Sequence, residues 1–223
     1  MAGSSLFTNL GRAAKVLALL LFFLPWVTVS CSTDALERIQ REAAQSAPQL
    51  GMRGPGLGAE IPIADASGLN MALGQIRLRL PDMPTNTGGA RPSPNQPPEV
   101  PVEIGVIAGA ALLLLALVGS FLLKGTAGAV AGIGGSALAM VAFCYSVFVS
   151  YPPAVRAAFA TRNAPGMGGS EGAPSPDQIA QILSVKPAGG FWFVLILLAL
   201  AILFNVLATR RPGAGVTTPP ATG

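Results

Sequence analysis

Apolar side chains fill four stretches of this 223-residue chain almost without interruption, and the polar residues collect between them. From Ile104 to Leu123 the only conventionally polar side chain is Ser120. As a helix rising about 1.5 Å per residue, that stretch crosses a hydrocarbon core of about 30 Å. Gly125 to Ser150 is a second uncharged run, and Ala188 to Thr209 is a third, in which Asn205 is the strongly polar interruption. Val16 to Ser30 is shorter, about 22 Å as a helix, but Ala13 and Ala14 extend it and Lys15 can snorkel toward the headgroups. The pattern predicts an all-α membrane protein with four transmembrane helices, over residues 13–31, 103–123, 125–150 and 188–209. The first segment has a rival reading as a signal peptide. Arg12 and Lys15 form its basic region, Val16 to Leu24 its apolar region, and Thr28 to Ser30 supply small residues before Cys31. Thr28, where a lipoprotein signal carries an apolar residue, and the Pro25-Trp26 approach favour retention as a helix.

The segments between the spans are read separately. Residues 1–12 form a cytoplasmic N-terminus, and 32–102 a long, partly irregular extracytoplasmic loop. Within that loop, Leu36, Ile39 and Ala43 lie at helical spacing behind an Asp34/Glu37 pair resembling a capping box, which predicts a short amphipathic helix. Gln75 to Leu80 alternates apolar and basic residues, the pattern of either a half-buried strand or a solvated loop. Seven prolines between Pro81 and Pro101 make a linker. The outer loop 151–187 opens at Pro152-Pro153, which ends or redirects the third span. It continues to an interfacial helix over 176–184, signalled by Ser175 as N-cap, Pro176 at the first helical position and Gln178 at N3. Residues 210–223 read as a disordered cytoplasmic tail.

Composition narrows the chemistry. Charged residues make up 11% of the chain, against about 25% in a soluble domain. The net charge of +4 is not gathered into a basic run, so nucleic acid is not an expected partner. The chain has no histidine, which removes imidazole bases and His-ligated metals, and its two cysteines cannot build a zinc site alone. The sequence therefore assigns no catalytic, cofactor-binding or metal-ligating residue and defines no small-molecule ligand. The expected partners are the lipid bilayer and another membrane protein.

Orientation follows from basic residues in short flanks. Arg12, Lys15, Lys124, Arg210 and Arg211 fall on one side of a four-helix arrangement, which predicts that both termini are cytoplasmic. Trp26, Tyr145, Tyr151 and Trp192 lie near the opposite helix ends, as interfacial anchors do.

Gly125, Gly128, Gly132, Gly135, Ala139, Ala142 and Ser146 keep to one face of the third span, and Gly105 and Gly109 repeat the motif on the second. Such a seam serves either packing among the chain's own helices or docking of another protein, with internal packing favoured. No ionisable group is expected at depth, since Lys15, Lys124 and Glu103 are placed at helix ends. Asn205 is expected to bond a neighbouring helix carbonyl. Cys31 and Cys144 are expected at different depths, as buried thiols or, after a helix shift, as a disulfide.

The stretch Leu24-Pro25-Trp26-Val27-Thr28-Val29-Ser30-Cys31, followed by Ser67-Gly68-Leu69-Asn70-Met71-Ala72-Leu73-Gly74, resembles a loose group of uncharacterised bacterial multi-pass membrane proteins. In these a first helix ends in an LPWV-x-VSC-like sequence and a glycine-bounded stretch follows in the outer loop. The resemblance covers about 16 residues beyond hydropathy order; it implies a bacterial inner membrane and no particular activity. The expectation is a non-catalytic accessory or scaffold subunit of a membrane assembly. An oligomeric channel or transporter subunit, and an envelope lipoprotein or sensor using Cys31, are the alternatives.

Overall fold

The computed structural model describes residues 2–31, 61–78, 100–123, 125–163 and 183–210. Helix α1 (Ala2–Leu20) runs through a 3-10 turn (Leu21–Phe23) into strand β1 (Pro25–Cys31). Strand β2 (Ile61–Ser67), the short helix α2 (Gly68–Ala72) and strand β3 (Arg77–Leu78) come next. Helix α3 (Ile104–Leu122) then turns into α4 (Thr126–Tyr145), which continues through a π-helical turn (Ser146–Ser150) into α5 (Tyr151–Asn163). Strand β4 (Leu183–Pro187) leads into α6 (Gly189–Arg210).

Four helices are long and apolar enough to cross a membrane, at Leu6–Phe23, Ile104–Leu122, Thr126–Ala160 and Gly189–Arg210. The expectation of four apolar, span-length helices therefore holds, while the all-α expectation is corrected. The described residues include a four-stranded antiparallel sheet of order β3-β2-β1-β4.

The first span is displaced toward the N-terminus from the expected 13–31. Proline disfavours helix at the residue before it, and Leu24 accordingly turns extended at φ −78° and ψ 158°. Behind Pro25 the β-branched Val27-Thr28-Val29 suit a strand. The helix gains its length instead from Leu6, Phe7 and Leu10, where nothing breaks it. The third span also differs, running past Ser150 as one continuous helix. Pro152 and Pro153 interrupt the hydrogen-bond ladder inside this run, and the ladder is widened directly before them by the π turn, in which the Tyr151 N–H reaches back to the Ser146 carbonyl.

Gln75 to Leu80 takes its strand reading at Arg77–Leu78, with Ile76 buried and Arg77 exposed. Leu183 and Ser184, expected in a helix over 176–184, belong instead to β4, where pairing with Cys31 and Ser30 satisfies their backbone. The remainder of that helix, the amphipathic stretch near residue 36, the linker up to residue 99 and the tail beyond Arg210 lie outside the described residues.

The helices pack small side inward. On α1, Gly11, Ala14 and Ala18 are buried while Leu10, Leu17 and Leu20 are exposed. On α4, Gly128, Gly132, Ser136 and Ala139 are buried while Val130, Leu138 and Val141 face outward. Leucine gains nothing by leaving lipid for a helix interface, so association follows the residues that let backbones approach. Along the α3–α4 seam, Gly105 lies against Ser146 and Gly109 against the Phe143 ring, and a Cβ at Gly135 would sit 2.5 Å from that of Ala116. The tight α3–α4 connection places Gly125 at φ +69°, a conformation suited to glycine.

At the other end of the bundle the sheet forms a head. The β1–β2 register shifts between Pro25 and Val27, and this bulge leaves Trp26 without a partner on β2. The indole is wholly buried, donates from Nε1 to the Leu21 carbonyl at 3.1 Å, and meets Phe22, Phe143 and Phe191 at centroid distances of 4.7, 5.0 and 5.9 Å. Gly68 lies on its face, where a Cβ would come within 2.9 Å of Cε2. Ser67 caps α2 by accepting from the Asn70 N–H, and the Glu103 N–H donates to the Met71 carbonyl, tying α2 to the start of α3. The stretches 24–31 and 67–74 are thus the two halves of one packed joint. Replacing Trp26 with alanine removes the shared contact and is expected to lower stability by about 3–5 kcal/mol. Reversible unfolding in mixed detergent micelles would measure it.

Candidate functional site

The described chemistry concentrates at the end of the bundle opposite the sheet, where α1 begins and α6 ends. Thr8, Gly11, Arg12, Lys15 and Ala18 recur at steps of three and four and therefore share one face of α1, which packs along α6 and reaches α3. Lys15 lies near the middle of the Leu6–Phe23 span and is fully buried. Its Nζ lies 3.4 Å from the Ala116 carbonyl of α3. Gly132 of α4 makes the room, because a Cβ there would lie 2.7 Å from Lys15 Nζ and 3.0 Å from Asn205 Nδ2. The partners Ala116, Gly132 and Asn205 lie five or six residues from the ends of their helices, about 8–9 Å into the bundle.

One turn nearer the terminus, Arg12 donates from Nη2 to the Ser120 carbonyl, and its guanidinium lies 4.3 Å from the centroid of the Phe121 ring. Its Nε is buried without a hydrogen-bond partner. Asn205 donates to the Ala201 carbonyl of its own helix at 2.7 Å, while a Cβ on Gly11 would lie 3.4 Å from its Oδ1. Beside these groups is a cavity of about 440 Å³, whose lining includes Thr8, Asn9, Arg12, Thr126, Asn205 and Thr209. The acids among the described residues are Asp65 and Glu103, both at the sheet end.

Several expectations are corrected here. Lys15 does not snorkel out; because the helix begins at Ala2, its ammonium lies inside the bundle, so an ionisable group is present at depth. Arg12 is half-buried beside it and is not a flank residue either. Of the remaining basic residues, Arg210 is exposed in the last turn of α6, while Lys124 and Arg211 lie outside the described residues. Asn205 bonds within its own helix rather than to a neighbour. The aromatic anchors divide: Tyr145 and Trp192 are 58% and 49% exposed, whereas Trp26 and Tyr151 are fully buried and cannot meet headgroups. The seam residues Gly105, Gly109, Gly128, Gly132 and Gly135 face groups of this chain, Ala142 lends its carbonyl and Ser146 its hydroxyl to the Gly105 contact, and Ala139 is fully buried.

Cys31 and Cys144 are free and half-buried. Burial pushes the Cys31 thiol above its ordinary range, which disfavours a reactive thiolate. In the sequence the charges of Arg12 and Lys15 mark the edge of an apolar run beginning at Val16, which hides the cationic site. Started at Leu6, the same run places Lys15 centrally. Comparison with family models, curated proteins and solved structures gives no match, so the site is interpreted on its own geometry.

At the sheet end, Glu103 precedes α3 at 5% exposure and accepts from Ser150 Oγ at 3.1 Å. Burial pushes its carboxyl above the usual range, with the Ser150 bond opposing. The folded state then holds the proton more tightly than the unfolded chain, so stability is greatest below the unfolded carboxylate range and falls as pH rises through the raised value. Thermal scans in detergent from about pH 4 to 8 are expected to show this decline in the wild type and to show it flattened in Glu103→Gln.

Proposed function

We propose that the protein is a non-catalytic, multi-pass membrane protein acting as an accessory or scaffold subunit, and that it docks onto a larger membrane assembly through its sheet-bearing head. The supporting observation is where the packing surfaces are used. Gly105, Gly109, Gly132 and Gly135 lie against Ser146, Phe143, Lys15 and Ala116 of the same chain, so the helix seam is engaged internally. The head joins β1, β2, α2, β3 and β4 into a platform beyond the spans, with β3 and β4 as its outer strands. Outer strands offer backbone donors and acceptors to a partner segment.

The channel reading has less support. Trp26 is fully buried in contact with Phe143 and Phe191 where the bundle meets the head, so aromatic rings fill that level of the described bundle. The lipoprotein reading requires cleavage before Cys31, which would remove α1 with Arg12 and Lys15 and the Trp26 joint. The setting we propose is a bacterial inner membrane with both termini in the cytoplasm. With Arg12 and Lys15 inside the bundle, that orientation rests on Lys124, Arg210 and Arg211.

Two measurements test the proposal. Affinity purification in mild detergent is expected to recover a stoichiometric heteromeric partner, and a homo-oligomer that conducts ions in planar bilayers would defeat the scaffold reading. In a chain lacking its native cysteines, an impermeant thiol reagent added to intact spheroplasts is expected to label Gln96→Cys and spare Gly125→Cys; the reverse labelling would overturn the orientation.

A further inference from the structure

Arg12 lines the cavity between α1, α3, α4 and α6, Lys15 is buried one turn deeper behind it, and no carboxylate among the described residues lies beside them. Lys15 has no solvent exposure, and its Nζ is within 3.4 Å of a single carbonyl. Arg12 bonds the Ser120 carbonyl with Nη2 and leaves a buried Nε unpartnered. Buried charges are retained in proteins when an opposite charge or several hydrogen bonds compensate them. The described carboxylates, Asp65 and Glu103, belong to the far end of the molecule. Among the described residues nothing supplies that opposite charge, and an anion held in the cavity would.

We propose that the cavity binds a phosphate group through Arg12, with the buried Lys15 ammonium behind it adding to the positive field and hydroxyl and amide donors completing the shell. The lining supplies such groups from Asn9 and Thr126, and the Asn205 amide keeps a second N–H beside the one it gives to Ala201. The first turn of the 20-residue helix α4 also borders the cavity at Thr126, Gly128 and Ala129, so the positive end of its dipole favours an anion. The volume of about 440 Å³ equals roughly fifteen waters, enough for a phosphate with an ester substituent. The partners of Lys15 lie about 8–9 Å inside the helix ends. At that level the abundant oxyanion is the phosphodiester of an anionic phospholipid, and inorganic phosphate from the adjoining aqueous phase shares its chemistry.

The test uses the full chain in a neutral detergent, titrated separately with phosphatidylglycerol, phosphatidylcholine and inorganic phosphate. Thermal midpoint and native mass spectra are the readouts. Saturable stabilisation by phosphatidylglycerol, with one retained lipid and at least tenfold weaker binding of phosphatidylcholine, assigns the site to an anionic headgroup. An equal effect of inorganic phosphate supports the same site and assigns it to the free ion. The double variant Arg12→Gln, Lys15→Met is expected to weaken binding at least tenfold. Ala208→Trp, which fills the cavity and keeps both cations, is expected to do the same, so misfolding of one variant does not decide the matter. If neither probe stabilises the wild type, or if wild type and both folded variants respond alike, the proposal is overturned.

Discussion

Lipid solvates a leucine as well as another helix does, and the fold of this protein follows from that equality. The bundle forms where side chains are small enough for backbones to meet: Gly11, Ala14 and Ala18 on α1, Gly109 and Ala116 on α3, and Gly128, Gly132 and Ala139 on α4. The large apolar residues are left outside, where hydrocarbon receives them. Opposite Gly132 the packing admits the Lys15 ammonium and the Asn205 amide. The same small-residue geometry that closes the bundle therefore also makes room for its buried cation.

The head depends on a different contact. Trp26 is carried inward by a bulge, and its ring joins the end of α1 to α2, α4 and α6 through Phe22, Gly68, Phe143 and Phe191. Backbone bonds reinforce the joint, since the Ala188 N–H donates to the Trp26 carbonyl at 2.7 Å and the Val100 N–H to that of Gly74 at 3.2 Å. Gly74 adopts φ +68°, as its close approach to the Val100 carbonyl requires. Two sequence stretches that share no local periodicity are in this way parts of a single tertiary contact.

The sequence made the helical spans legible where hydropathy was continuous, as in Ile104 to Leu122 and Gly189 to Arg210. It was less informative where a local rule and a tertiary contact competed. Val27-Thr28-Val29 counted as apolar length when read for hydropathy, although β-branching behind Pro25 suited a strand whose partners lie more than 30 residues away. A charge beside an apolar run reads as its boundary, so Lys15 reads as a helix end. Its burial depends on Gly132, a residue of another helix that no local pattern connects to it. Trp26 and Tyr151 had the composition of interfacial anchors, but inward direction is a property of the assembled joint and not of the residue type.

The continuous helix from Thr126 to Ala160 is 35 residues long, while the span formed by α3 is 19. At about 1.5 Å per residue the longer helix measures about 52 Å, some 20 Å more than a bilayer's hydrocarbon thickness. Val155 of its distal part is fully buried in the core shared with the head. About 30 Å of the helix is used up near Tyr145, so the π turn and the Pro152-Pro153 pair, the places at which a helix bends, fall at the junction between span and head.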